Sequence, residues 1–176
     1  IFNDLALKNP KALVLDLRGN SGGHPIFAAQ LFSYLTDDEF TYFKRNELVV
    51  DFEPLYNPMQ ANPLNYTGQL MVLVNGSCLS TTGHLISLLK FYTDAIFIGS
   101  EPGSTFKCND FSIKKVLPHS GIELNLPRTS FETATSGFSY TKPFPLNYIT
   151  HPSINDQLKN IDSDLEVVYS LVNKAN

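Results

Sequence analysis

Gln69-Leu-Met-Val-Leu-Val-Asn75 passes through Gly76-Ser-Cys-Leu79 into Ser80-Thr-Thr-Gly-His84, and the fold is read from this stretch. Its first part is a short continuous apolar run, the pattern of a strand covered on both faces. Beyond it Leu85, Leu88, Leu89 and Tyr92 recur at i, i+3, i+4 and i+7, one face of a helix. Ser80 therefore stands at or beside a helix N-cap. There a hydroxyl can satisfy orphan amides, and the helix end carries partial positive charge. A serine in that place is ordinarily a capping residue.

Working outward, Lys11-Ala-Leu-Val-Leu-Asp-Leu17 is a second buried strand, ending in the glycine-rich turn Arg18-Gly-Asn-Ser-Gly-Gly23. Pro25 opens a helix with Ala28, Leu31, Phe32 and Leu35 on one face. Downstream, Ala95-Ile-Phe-Ile-Gly99 is a third buried strand, followed by the turn Ser100 to Thr105. Glu39 to Asp51 predicts one or two strands, and Pro54 to Thr67 a long loop that covers or lines a site. Phe111 to Leu117 and Ile122 to Leu126 predict strands joined by a turn at Pro118 to Gly121, and Thr129 to Tyr140 reads as extended. Ser163-Asp-Leu-Glu166 predicts a capping box opening a C-terminal helix. Buried strands alternating with helices mean an α/β domain, whose sites gather at the carboxyl ends of strands. The turns at 18–23, 76–80 and 100–105 all stand at such ends.

With 176 residues the chain is one domain, 1–176, or most of one. A net charge of −4 without a basic cluster argues against nucleic acid or an anionic membrane surface as partner. No apolar run reaches membrane-spanning length, and no signal-peptide pattern opens the chain. Ile1-Phe-Asn-Asp-Leu-Ala-Leu7 reads as a helix already under way, so a fragment of a longer protein is expected. Cys78 and Cys108 allow one disulfide or two free thiols, and neither has a second ligand at metal spacing. Cys78, two residues before Ser80, reads as a small buried thiol.

Leu13-Val-Leu-Asp-Leu-Arg-Gly-Asn-Ser-Gly-Gly23 resembles the "DLRGNxGG" motif of the C-terminal-processing (tail-specific) serine proteases, a family that includes the tricorn-like enzymes. Leu73-Val-Asn-Gly-Ser-Cys-Leu-Ser80 resembles the family's nucleophile strand and turn, and Ala95 to Glu101 the strand and "GE" turn that follow. The tail from Pro152 to Glu166 is similar more weakly. The resemblance implies a crotonase/ClpP-like fold of stacked β-β-α units. It also implies a peptide or protein substrate, no cofactor or metal, and an extracytoplasmic setting such as the bacterial periplasm or a membrane tether.

By the same resemblance Ser80 is the nucleophile, and the Gly22–Gly23 turn and the Thr81 amide form the oxyanion hole. The family's dyad lysine falls on Thr105, so Lys107, two residues on, is a candidate base; a solvated surface lysine is the plainer reading. His84, at i+4 from Ser80, is another candidate, though a helix histidine at that place is ordinarily half-buried. In the tricorn-like branch the base is a histidine from an upstream domain, helped by a late glutamate, and Phe138 to Asn147 contains none. Gly83 stands where an acidic residue is usual. His24 reads as a polar helix-entry residue, and Asp16 as a structural carboxylate paired with Arg18. Two functions follow: a serine endopeptidase whose base lies outside these residues, or an inactive module of the same fold that binds peptides or apolar ligands.

Overall fold

The computed structural model describes residues 1–45, 52–110 and 112–174. In chain order the elements are α1 (Phe2–Lys8), β1 (Ala12–Asp16), α2 (Pro25–Ser33), β2 (Phe40–Thr41), β3 (Pro58–Met59), β4 (Gln69–Val74), α3 (Thr81–Tyr92) and β5 (Ile96–Gly99). They continue with β6 (Lys107–Asp110), β7 (Ile113–Val116), β8 (Glu123–Leu126), β9 (Thr129–Glu132), β10 (Tyr148–Ile149), α4 (Ile154–Leu158) and α5 (Ser163–Lys174). Four parallel strands in the order β1-β4-β5-β10 form the central sheet. The mixed α/β architecture is compatible with the crotonase/ClpP-like fold.

β4 lies inside that sheet with Leu70 to Val74 all buried, which is why its sequence is continuously apolar. Its two faces feed two clusters. Leu70, Val72 and Val74 pack with α2 and α3 residues such as Phe32, Ile86 and Leu89, whereas Met71 and Leu73 meet Val168 of α5. Helix α3 is more buried than an amphipathic pattern implies: Thr81 to Leu89 are all inside.

Several sequence expectations shift in the folded chain. Among the described residues 39–45, Phe40–Thr41 is strand, paired with Pro58–Met59; residues 46–51 lie outside the described residues. The 54–67 segment is not a plain loop, since it contains the Pro58–Met59 strand, and its end lines a cavity through Tyr66 and Thr67, with Leu35 to Asp37 and Phe91 to Ala95. Its second half is tied to the end of α2 through Asn62 and Tyr66, whose amides donate to Ser33 and Tyr34, at the amino end of the sheet. Asp162, not Ser163, caps α5, its Oδ1 accepting from the Asp164 and Leu165 amides. The capping box belongs instead to α4, between Ser153 and Asp156. The strand expected from Phe111 begins at Ile113, with residue 111 itself outside the described residues.

Candidate active site

β1 and β4 pair in parallel from Ala12 with Gln69 to Asp16 with Leu73, so the turns leaving their carboxyl ends must meet. Asn20 clamps them. Its carbonyl accepts from the Leu79 amide at 3.1 Å, and its Oδ1 accepts from the Gly22 amide at 2.9 Å and Thr82 Oγ1 at 2.8 Å. Thr81 Oγ1 donates to the Gly23 carbonyl at 2.6 Å. Gly22 makes the contact possible: a Cβ there would stand 2.8 Å from the Leu79 oxygen and the Ser80 Cβ, and its φ is +99°.

Ser80 has φ 52° and ψ −128°, a conformation that a residue with a side chain holds only under constraint. The constraint is visible at its carbonyl. That oxygen accepts from the Gly83 amide at 2.8 Å, the His84 amide at 3.4 Å, Ser104 Oγ at 3.3 Å and Cys108 Sγ at 3.2 Å. The hydroxyl is left free of this network. Ser80 is exposed, its side chain does not cap α3, and it makes no hydrogen bond among the described residues. The amides of Thr81 and Gly23 are likewise uncommitted among the described residues, whereas the Gly22 amide is occupied by Asn20.

The two candidate bases stand elsewhere. His84 is buried, its ring edge-on to Phe43 at 5.3 Å and Tyr42 at 6.0 Å between centroids. Burial pushes its imidazole down to about 4, against a weaker opposing influence of the Phe131 main chain, so the ring is neutral at pH 7. Among the described residues neither ring nitrogen has a well-aligned hydrogen-bond partner. Lys107 begins β6, and side chains alternate along a strand. Cys108 faces the Ser80 carbonyl, so Lys107 faces away, its Nζ 4.0 Å from Glu132 Oε2 and 5.9 Å from the Tyr140 ring centre.

Both thiols are free. Cys78 is buried and donates to the Leu17 carbonyl at 3.1 Å, and burial pushes its pKa up. Burial likewise pushes Cys108 up to about 11, so neither supplies a thiolate at neutral pH. His24 does enter α2: its Nδ1 accepts from the Ile26 amide at 3.3 Å. At position 83 a Cβ would lie 2.4 Å from Ser104 Oγ, so this chain has no room for the family's acidic side chain.

Two residues carry more than the motif reading gave them. Asn20 was visible inside the glycine-rich motif, but its clamping role needs the partner turn. Glu101, in the turn after β5, is the carboxylate that reaches the 138–147 stretch, its Oε1 accepting from the Phe144 amide at 2.7 Å.

Residues 1–133 match the family description "Peptidase family S41". This chain belongs to peptidase family S41. No curated protein matches it. Among solved structures it is similar to an S41-assigned protein from Bacteroides fragilis, at 18% identity and TM-score 0.67, covering 99% of this chain and 48% of that one. It is also similar to the photosystem II D1 C-terminal processing protease, at 19% identity and TM-score 0.58, covering 91% and 40%. Mature CPAF complexed with lactacystin superposes with TM-score 0.71 at 16% identity, covering 98% and 45%. At these identities the likeness is one of fold. The S41 chain spans about half the length of these structures.

Proposed function

We propose that this chain contributes the nucleophile and oxyanion hole of a serine peptidase acting on peptides or proteins outside the cytoplasm. The observation that carries the reading is Ser80 itself: an exposed hydroxyl on a strained backbone at the start of α3, beside two uncommitted amides. Ser80 Oγ attacks the scissile carbonyl as a base takes its proton. The oxyanion is received by the Thr81 and Gly23 amides, each such donor being worth about 3 kcal/mol in the transition state. The proton passes to the leaving amine, and water then hydrolyses the acyl-enzyme. Gly22 acts by close approach, since its amide is held by Asn20. The base comes from outside the described residues, because His84 is packed among aromatic rings and Lys107 faces away from Ser80.

That same pair of observations favours one other reading, an inactive peptide-binding module of the same fold. Fluorophosphonate labelling separates the two, applied to this chain and to the longest native polypeptide containing it, with the adduct mapped by mass spectrometry. Labelling at Ser80 in the longer polypeptide and its loss in Ser80→Ala is the expected result. A folded polypeptide that takes no label at Ser80 sinks the peptidase reading and leaves the binding module.

A further inference from the structure

Beside the Ser104 turn lies a cavity of about 390 Å³, between residues 101–107 and 137–145. Its wall is continuous with the nucleophile turn, because Ser104 Oγ donates to the Ser80 carbonyl. A Cβ on Gly103 would lie 2.3 Å from the Gly76 oxygen, so the two turns are in direct contact. Aromatic rings line the other side. Phe138 and Phe144 lie parallel, centroids 6.0 Å apart, and Phe138 is half-buried rather than closed off. Tyr140 stands at the rim with 68% of its surface exposed.

Two cations and one carboxylate line the cavity. Lys107 and Lys142 both line it, and Lys142 forms no ion pair among the described residues. Glu101 also lines it and keeps its negative charge while its Oε1 accepts from the Phe144 amide, which leaves Lys142 as the cation in excess. Glu132, which approaches Lys107, is not part of the lining. An apolar aromatic wall with a cationic rim suits an aromatic side chain with a carboxylate beside it. We propose that this cavity is a substrate subsite, one that seats an aromatic residue followed by an acidic one. The proposal rests on the reading of Ser80 as the nucleophile, which makes the neighbouring turn part of a peptide cleft.

Binding is measured on the Ser80→Ala form of the longest native polypeptide, so that no peptide is cut. The probes are fluorescein-labelled Ala-Ala-Phe-Glu-Ala-Ala, its Phe-Lys counterpart and its Ala-Glu counterpart, followed by fluorescence polarisation. The Phe-Glu peptide is expected to bind about tenfold tighter than Ala-Glu, the scale of burying one aromatic side chain. Against Phe-Lys the expected preference is about fivefold, the scale of one rim charge. Lys142→Glu should erase or reverse the preference for Glu over Lys, and Tyr140→Ala should narrow the preference for Phe over Ala. Equal affinities for the three peptides, or a Glu preference untouched by Lys142→Glu, would overturn the subsite. Fluorophosphonate labelling of wild-type Ser80 is read separately. Labelling without peptide preference means the subsite is wrong and the nucleophile right. Peptide preference without labelling keeps the cavity and removes Ser80 as the nucleophile.

Discussion

Gly19 and Gly22 lie in one turn and both have positive φ, +73° and +99°, yet they answer to different constraints. Around Gly19 a Cβ would meet nothing within 4 Å, so Gly19→Ala adds only backbone strain. At Gly22 the same Cβ would strike the Leu79 oxygen and the Ser80 side chain at 2.8 Å. Gly19→Ala is therefore expected to cost about 1 kcal/mol and to keep turnover. Gly22→Ala should cost about 3 kcal/mol or more and lose turnover, because the two turns must separate. Urea denaturation of both variants, with peptide cleavage by the intact protein, checks the pair. Equal losses of stability would mean that the contact with Ser80 is not what holds position 22. Ser80→Ala, by contrast, removes a hydroxyl that makes no hydrogen bond among the described residues, so unfolding should shift by less than about 1 kcal/mol while cleavage disappears.

Helix α3 shows how an element can take a polar residue inward. His84 is buried against Tyr42 and Phe43, with its folded-state pKa near 4, below the ordinary histidine value of about 6.5. The unfolded chain binds the proton more readily than the folded one between those values. Stability is therefore fully present above about pH 6.5 and falls as the pH drops toward 4, by an amount on the order of 2–3 kcal/mol. His84→Leu should flatten that slope. Urea midpoints at pH 4.5 and 7.5 for both proteins test it. If wild type and His84→Leu lose stability in parallel, His84 is not the titrating group. The i+4 spacing from Ser80 suggested a local Ser–His pair. In the structure the ring packs with Tyr42 and Phe43 instead, since the first turns of α3 are enclosed on all sides.

At the scale of the whole molecule, Arg18 joins the two ends of the chain. Its guanidinium reaches Asp16 at 2.7 Å, Asp162 at 2.9 Å and Asp164 at 2.9 Å, tying the end of β1 to the cap of α5. Hydrogen bonds from Arg18 hold the Asp16 and Asp162 carboxyls below the usual carboxylate range, and the same contacts raise the Arg18 pKa. The stability they lend is present above the unfolded carboxylate value of about 4 and is lost as the pH falls through the lower folded values. Arg18→Met leaves three carboxylates facing one another. Allowing for the partial exposure of the site, it should cost about 2 kcal/mol at pH 7 and progressively less as the pH falls through the carboxylate range. Denaturant titrations across pH 2.5 to 7 would show this. A loss independent of pH would assign Arg18 a packing role only.

Much of this molecule was legible in the chain. Continuous apolar runs at 69–75 and 95–99 determined the buried inner strands β4 and β5, because a strand covered on both faces has no polar side to show. The equally apolar run at 11–17 is a parallel strand too, but it lies at the sheet edge, with Val14 and Asp16 exposed and none of Ala12 to Asp16 fully buried, because its sequence does not encode which strands flank it. The glycine-rich motif after β1 and the Ser80 turn after β4 determined the family and pointed to the candidate site, because both depend on residues close together in sequence. The Asp16–Arg18 pair was equally local. What only the tertiary structure decided was which groups face one another across sequence distance. Asn20 and Glu101 became visible as clamps only once their partner segments were placed. Lys107 and Cys108 are neighbours in sequence, and which of them turns toward Ser80 was settled by how β6 packs beside the nucleophile turn. His84 went inward because nine consecutive residues of α3 are enclosed, a burial that its own periodicity does not encode. Local backbone preferences and apolar periodicity are written residue by residue, whereas packing is a property of pairs of segments brought together by the sheet.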